Sequence, residues 1–364
     1  MRPQAFAASF LLVGLGLAAH LLSGSFFIAP AHAQIMHEIV EVVPGVLAAL
    51  QPTARRFNDS NSVVIINEED ILIVDAQSNA AQVQALIDQV AERSDKPVRT
   101  LVNTHWHADH TQGNAIWKEA VGASLEIIGH VTQLQDIEQR AKGQQLKDAD
   151  ELEAELRDAE VELDNGRGLQ GEKLDEDGRM ALRARLDRNY LYLETVRQRQ
   201  WELPNRTFQN HLELQRGDRT IELRHYRGHT RGDVVLYLPK EKVLITGDLV
   251  DDLPYGGHGY PKEWLATLRE LEKLDFDYLI PGHGEIRQGK AHLRLIIRMV
   301  ESIVEQVNAA VADGADLEAT QSRVDLSEFH DKLVTDDVAQ RNYDHFMPGT
   351  IERAWLEARG ELPD

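Results

Sequence analysis

Cysteine is absent from this 364-residue chain. That excludes disulfides, thiolate metal ligands and a cysteine nucleophile, and it fits an oxidising compartment. Basic residues are in deficit: 39 Lys and Arg face 60 Asp and Glu, a net charge of -21. Nucleic acid is therefore not an expected partner, because phosphate binding needs a basic face. After Ala29 no stretch is apolar enough to cross a membrane. No Gly-x-Ser-x-Gly elbow occurs, so nothing indicates a serine nucleophile. With 42% apolar residues the chain can still bury a sizeable core, as one large domain or two small ones.

The long apolar run lies at the N-terminus. Arg2 precedes an apolar stretch from Ala5 to Ala29, and Ala31-His32-Ala33 follows before Gln34. A basic start, an apolar centre and an Ala-x-Ala site read as a secretory signal over residues 1–33. Cleavage after Ala33 is expected, giving a periplasmic or secreted protein without stable membrane insertion. An uncleaved anchor is the rival reading, and His20 and two prolines weaken it.

What the chain has in abundance is histidine in one place. Thr104-His105-Trp106-His107-Ala108-Asp109-His110 follows an apolar run, Val98 to Asn103, that reads as a buried strand. His105 and His107 alternate as on an extended chain, so both reach one point from a loop. Asp109 and His110 follow as the backbone turns and reach a second point nearby. Neutral imidazole and carboxylate are good ligands for zinc or iron.

Around this cluster the pattern alternates sheet and helix. Ile39–Val43, Val46–Leu50, 61–66 and 71–75 read as strands joined by short polar turns, a meander. Ala80 to Arg93 carries Val83, Leu86, Ile87 and Val90 on one helical face. A helix begins near Gly113, and 125–129 is another strand. Asp75 closes its strand at the end where ligands collect, either as a plain turn residue or as outer support for a metal-bound histidine.

From Gln133 to Glu202 the composition shifts to Glu, Asp, Arg, Lys, Gln and Leu, with almost no β-branched residues. This is the composition of long exposed helices. Asn165-Gly166-Arg167-Gly168 is the natural break, giving a helical hairpin over 133–203. Leu182, Leu186, Tyr190, Leu193 and Arg197 form a narrow stripe on its second helix. Its charges read as a solvated face, with a lid or a homo-oligomer contact as the alternatives.

Sheet resumes after Pro204. Strands over 212–214, 220–226, 234–238, 243–246 and 278–280 are expected, with a helix over 262–274. Gly228-His229-Thr230, Gly247-Asp248 and Pro281-Gly282-His283-Gly284 each follow one of these strands. One such ending is noise, but its recurrence in order behind the histidine cluster is a site. Residues 291–364 read as a helical extension, beginning with an apolar-striped helix over 291–312.

Together, His-x-His-x-Asp-His at 105–110, Gly-His-Thr at 228–230, Gly-Asp at 247–248 and Pro-Gly-His-Gly at 281–284 resemble the metallo-β-lactamase superfamily. The resemblance covers about residues 38–132 and 204–290. It implies an α/β fold, a four-layer αββα sandwich over 34–290, interrupted by the hairpin. It also implies two metal sites: His105, His107 and His229 for one, Asp109, His110 and His283 for the other, with Asp248 between them. Two zinc ions per chain are expected, with iron or manganese as alternatives. Asp109 and Asp248 are the candidate catalytic carboxylates.

The implied chemistry follows from charge. Two zinc ions less two carboxylates and a bridging hydroxide leave a net positive site. Such a site lowers the pKa of water from about 15.7 towards 7. The expected activity is zinc-dependent hydrolysis of a small ester, lactone, lactam or phosphoester. A β-lactamase proper is one alternative, although large groups of those enzymes place cysteine or serine where this chain has Asp248. A mono-iron oxidoreductase of sulfur compounds is another, and a metal-binding protein without turnover a third. Tyr255 and His258, in a glycine-rich aromatic stretch after Asp248, are weaker candidates for substrate contact. His130, His211, His225, His292, His330 and His345 have no motif context.

Overall fold

The computed structural model describes residues 37–363. The signal-peptide reading at 1–33 lies outside the described residues. Among the described residues no helix is long and apolar enough to cross a membrane.

Two sheets form the centre. The first holds seven strands in sequence order: β1 (Glu38–Val43), β2 (Val46–Leu50), β3 (Ser62–Ile66), β4 (Ile71–Val74), β5 (Val98–Val102), β6 (Glu126–His130) and β7 (Arg206–Phe208). Pairing is antiparallel as far as β4 and parallel from β4 to β7. The parallel steps need crossovers. Helix α1 (Ala80–Arg93) supplies the first, and α2 (Ala108–Thr111) with α3 (Asn114–Val121) supplies the second. Asn79 caps α1 by accepting from the Ala81 and Gln82 amides. A short helix, α4 (Val131–Asp136), leaves β6.

The second sheet runs in the reverse spatial order β13-β12-β11-β10-β9-β8. Its strands are β8 (His211–Arg216), β9 (Arg219–Tyr226), β10 (Asp233–Leu238), β11 (Val243–Gly247), β12 (Tyr278–Pro281) and β13 (Arg287–Gln288).

Strand residues alternate between two cores because successive side chains leave opposite faces. Val63, Ile65, Leu72 and Val74 meet Leu223, Val234, Leu236, Ile245 and Ile280 between the sheets. Val64, Ile71 and Ile73 turn the other way, onto Val83, Leu86 and Val90 of α1 and onto Trp117. On the outer face of the second sheet, Val235, Leu244 and Leu279 pack against a further helical layer. Burial on both faces explains the nearly unbroken apolar strands. The order is helix, sheet, sheet, helix, as expected.

The hairpin is a unit of its own, Glu138–Gln200. Its helices α5 (Lys142–Asp164) and α6 (Glu176–Gln198) bury Leu152, Leu156 and Leu163 against Leu182, Leu186, Leu193 and Val196. Gly166, at φ 75°, makes the turn that ends α5. Arg197 leaves the apolar stripe and pairs with Asp150 and Glu153 at the surface. The unit begins later than the composition change at Gln133. Gln133 is fully buried, and its amide donates to the carbonyls of Asn103, Thr104 and Gly232, which fixes α4 in the main domain.

The outer layer on the second sheet consists of α7 (Pro261–Lys273), α8 (Ala291–Ala312), α9 (Leu317–Arg323), α10 (Ser327–Leu333) and α11 (Asp337–Arg359). Trp264, Leu268, Leu293, Ile296, Val300 and Ile303 fill it. The C-terminal residues are thus integral to the main core.

Candidate metal centre

Four chain segments bring seven side chains together. The loop after β5 carries His105 and His107, and α2 carries Asp109 and His110. The turn between β9 and β10 carries His229, Asp248 follows β11, and His283 follows β12. Glycine makes two of these approaches feasible. A Cβ at Gly247, where φ is 50°, would come within 2.7 Å of Thr104 Oγ1. One at Gly282 would lie 2.0 Å from Asp248 Oδ1.

The inward atoms form two groups. His107 Nδ1 lies 2.9 Å from His105 Nε2 and 3.0 Å from His229 Nε2. Asp109 Oδ2 lies 3.0 Å from His283 Nε2 and 3.5 Å from His110 Nε2. Asp248 stands between the groups. Its Oδ2 is 3.6 Å from His105 Nε2, 3.4 Å from His229 Nε2 and 3.5 Å from His283 Nε2. Its Oδ1 is 3.2 Å from His110 Nε2. Both sets could hold a metal ion: His105, His107, His229 and Asp248 on one side, Asp109, His110 and His283 on the other.

The outward ring atoms set the tautomers. His229 Nδ1 donates to the Tyr255 carbonyl at 2.7 Å, and His283 Nδ1 donates to the Arg56 carbonyl at 2.9 Å. His110 Nδ1 meets Asp75 Oδ2 at 2.7 Å. A carbonyl or carboxylate only accepts, so these rings carry a proton on the outward Nδ1 and turn Nε2 inward, where a metal would displace any proton on it. His105 Nδ1 meets Thr104 Oγ1 at 3.1 Å, and His107 Nε2 meets His258 Nδ1 at 2.8 Å. Asp75 therefore takes the supporting position, holding φ 61° to do so. His258 backs His107.

The donor set fits a metal. His110 Nε2 and Asp248 Oδ1 are buried and lack a hydrogen-bond partner, which is costly unless an ion meets them. Burial holds His105 and His107 well below the usual histidine range. Burial also opposes protonation of His110 and His283, but Asp248 and its neighbours outweigh it and raise both. The carboxylates of Asp109 and Asp248 are held well below their usual range by His110 and His283, against the effect of burial.

A family model described as the metallo-beta-lactamase superfamily matches residues 55–283. The chain belongs to the metallo-beta-lactamase superfamily. A linear primary-alkylsulfatase of Pseudomonas sp. (strain ATCC 19151) is 22% identical over 66% of this chain and 44% of its own length. A metallo-beta-lactamase type 2 of Bacillus cereus is 23% identical over 62% of this chain and 68% of its own. The stereoselective inverting sec-alkylsulfatase Pisa1 from Pseudomonas sp. shares the fold with a TM-score of 0.59 at 15% identity, over 88% of this chain and 50% of that one. The chain thus spans half the length or less of these alkylsulfatases.

Superfamily motifs do not point to every buried polar group here. Asp251, three residues after Asp248, is buried and accepts from the His283 amide at 2.9 Å. It forms a third candidate group with Asp248 and His283, and burial beside Asp248 pushes its carboxyl well up. Asp233 accepts from the Thr230 amide and hydroxyl, which shapes the His229 turn. Burial pushes it up to about 8. The sequence signal for both was a carboxylate two to four residues beyond a motif.

Proposed function

We propose that this chain is a metal-dependent hydrolase holding two zinc ions. His105, His107 and His229 would hold one, Asp109, His110 and His283 would hold the other, and Asp248 stands where it would serve both. The observation that carries this reading is the position of Asp248, within 3.6 Å of histidines from both groups. When bound, the two ions supply a water of lowered pKa and an electrophile for the leaving oxygen.

The residues do the rest. Asp109 is the more exposed carboxylate of the pair and stays ionised, so it would orient the incoming water by accepting a hydrogen bond from it. The outward hydrogen bonds of His110, His229 and His283 keep the nitrogens aimed before substrate arrives. The substrate is small, with an ester, lactone, lactam, phosphoester or, from the alkylsulfatase likeness, sulfate ester bond. The net charge of -21 disfavours polyanions. Esters and lactones rank above β-lactams, because Asp248 stands where lactamases carry cysteine or serine. A signal peptide at 1–33 would place the enzyme in the periplasm or outside the cell.

The test is a panel of chromogenic esters, lactones, sulfate esters and β-lactams with elemental analysis of the purified protein. Two zinc per chain is expected, with turnover of at least one ester-type member that chelator suppresses and zinc restores. Silence of fully zinc-loaded protein across the panel overturns the reading. One iron per chain favours the oxidoreductase instead. A β-lactam cleaved far faster than every ester overturns the ranking.

A further inference from the structure

Four aromatic rings form a run of ring contacts that begins at the candidate metal centre. Trp106 packs 4.4 Å from His107, ring centre to ring centre. Tyr255 lies 6.2 Å from His107 and 5.9 Å from His229. Phe346 lies 5.1 Å from Tyr255, and Phe57 lies 6.4 Å from Phe346. Phe57 adjoins Arg56, whose carbonyl holds His283. The band therefore starts at one histidine group and ends beside the other.

Four distant segments build it: the loop before β3, the loop after β5, the glycine-rich turn after Asp248, and α11. Phe346 falls outside residues 55–283, which the superfamily model matches. Phe57 and Phe346 rest on the core between the second sheet and its helices. Phe57, Tyr255 and Phe346 are each half-buried, so each ring has a packed side and an open one. Scattered exposed rings need no explanation, but three half-open rings in a row, with Tyr255 beside ligand-type histidines and Trp106 buried behind His107, are the lining of an apolar subsite.

The row carries little polarity. Burial pushes the Tyr255 hydroxyl well up, so it stays neutral, and it has no hydrogen-bond partner. The Arg56 guanidinium sits 4.7 Å over the Phe57 ring but is engaged by Asp336 at 2.9 Å. An anionic tail would gain little here, and a hydrocarbon tail would shed water against three half-open rings.

We propose that Tyr255, Phe346 and Phe57 form a subsite for an apolar alkyl or aryl group carried next to the scissile bond, with the buried Trp106 supporting its inner end. The substrate is then an ester of a hydrophobic chain or ring, and Phe346 on α11 sets how long a chain is accepted. This rests on the hydrolase reading for the bond that is cleaved, but the apolar subsite itself does not need turnover.

Two measurements separate the claims. The first is kcat/KM for 4-nitrophenyl esters of straight acyl chains from acetate to octanoate. The second is calorimetric binding of 1-butanol to 1-octanol to the zinc-loaded full chain. Each buried methylene should raise kcat/KM and affinity about two- to fourfold until the band is filled. Phe346→Ala should flatten both slopes, Phe346→Leu should recover most of them, and metal content should match wild type in both.

Alkanol binding that rises with length, without ester turnover, keeps the subsite and sinks the hydrolase. Turnover with no dependence on chain length, in wild type, sinks the subsite and keeps the hydrolase. Equal slopes in wild type and Phe346→Ala, or a uniform loss at every length, overturn the role of Phe346. If Phe346→Ala does not fold, Phe57→Leu at the far end of the band should shorten the accepted chain. An unchanged length profile there overturns the proposal.

Discussion

The Asp75 carboxylate ties His110 to the strand end that carries His105. Its Oδ2 meets His110 Nδ1 at 2.7 Å and accepts from the Thr104 hydroxyl at 2.8 Å, while Oδ1 accepts from the Thr104 amide at 2.8 Å. One buried side chain thus fixes a ring and the backbone one residue from another ring. Asn tolerates the φ of 61° that Asp75 adopts, so Asp75→Asn removes the charge with little backbone strain. We expect about 10- to 100-fold weaker zinc binding, read by competition with a chromogenic chelator. Unchanged zinc affinity would show that the tie is only architectural.

Asp248 should behave differently, because it faces both groups. Asp248→Ala should lower zinc per chain in elemental analysis and abolish turnover, since no other carboxylate can replace both oxygens at 3.2–3.6 Å. Wild-type zinc content with retained turnover would sink the bridging role. His107→Ala should likewise lower metal content, by removing the nitrogen that meets both His105 and His229.

Helix α11 reaches the centre indirectly. Asp336 caps it by accepting from the Ala339 amide, and it also pairs with Arg56, whose carbonyl orients His283. Asp336→Ala should cost about 1–2 kcal/mol in urea unfolding, mostly from the lost cap. Asp336→Asn should recover most of that loss, because Asn caps nearly as well. Equal losses in the two variants would make the ion pair, rather than the cap, the dominant contribution.

The four ligand motifs were legible because each sits at a strand end, three of them beside glycine, and the strands announce themselves through apolar runs. The two-sheet sandwich followed from the same alternation. β7 and β13 were not legible: three and two residues are too few to show a period. Asp251 and Asp233 each stand three residues beyond a motif, but their roles appear only when the turns close over His283 and His229. The aromatic band was hidden for a similar reason. Phe57 and Phe346 meet only because α11 folds back across the second sheet, and no spacing in the chain encodes that meeting.

A stacked pair of histidines predicts an acid-sensitive fold. His130 and His225 lie 3.7 Å apart with rings 5° from parallel. Burial, then His225, and to a lesser degree Arg231, bring His130 down to about 4, and burial also lowers His225. The unfolded chain therefore takes up protons near pH 6.5 that the folded chain refuses until about pH 4. The stability held above pH 6.5 should be lost as pH falls towards 4. His130→Asn should make the midpoint of thermal unfolding less dependent on pH between 7 and 5. The same pH slope in both proteins would place the acid sensitivity elsewhere.

The hairpin poses the last question, whether Glu138–Gln200 is needed for the main domain to fold. Its core is internal: Leu152, Leu156 and Leu163 of α5 close on Leu182, Leu186, Leu193 and Val196 of α6. The three cores of the main domain draw on none of these residues. Both ends of the unit return to the first sheet, through α4 after β6 and through β7, which pairs in parallel with β6. Replacing residues 138–200 with a flexible Gly/Ser linker, while keeping Gln133 and Asp136, should preserve cooperative unfolding and zinc content. Gln133 matters because its three hydrogen bonds anchor α4 to the strand end before His105 and to Gly232. Loss of cooperative unfolding in the deletion would show that the hairpin stabilises the main domain despite its separate core. A folded, zinc-loaded deletion with altered kcat/KM would instead assign the hairpin a part in substrate access. Unchanged stability, zinc content and kcat/KM would leave it as a satellite, and its exposed Leu146, Val161 and Met180 would then be the surface to test for self-association by sedimentation.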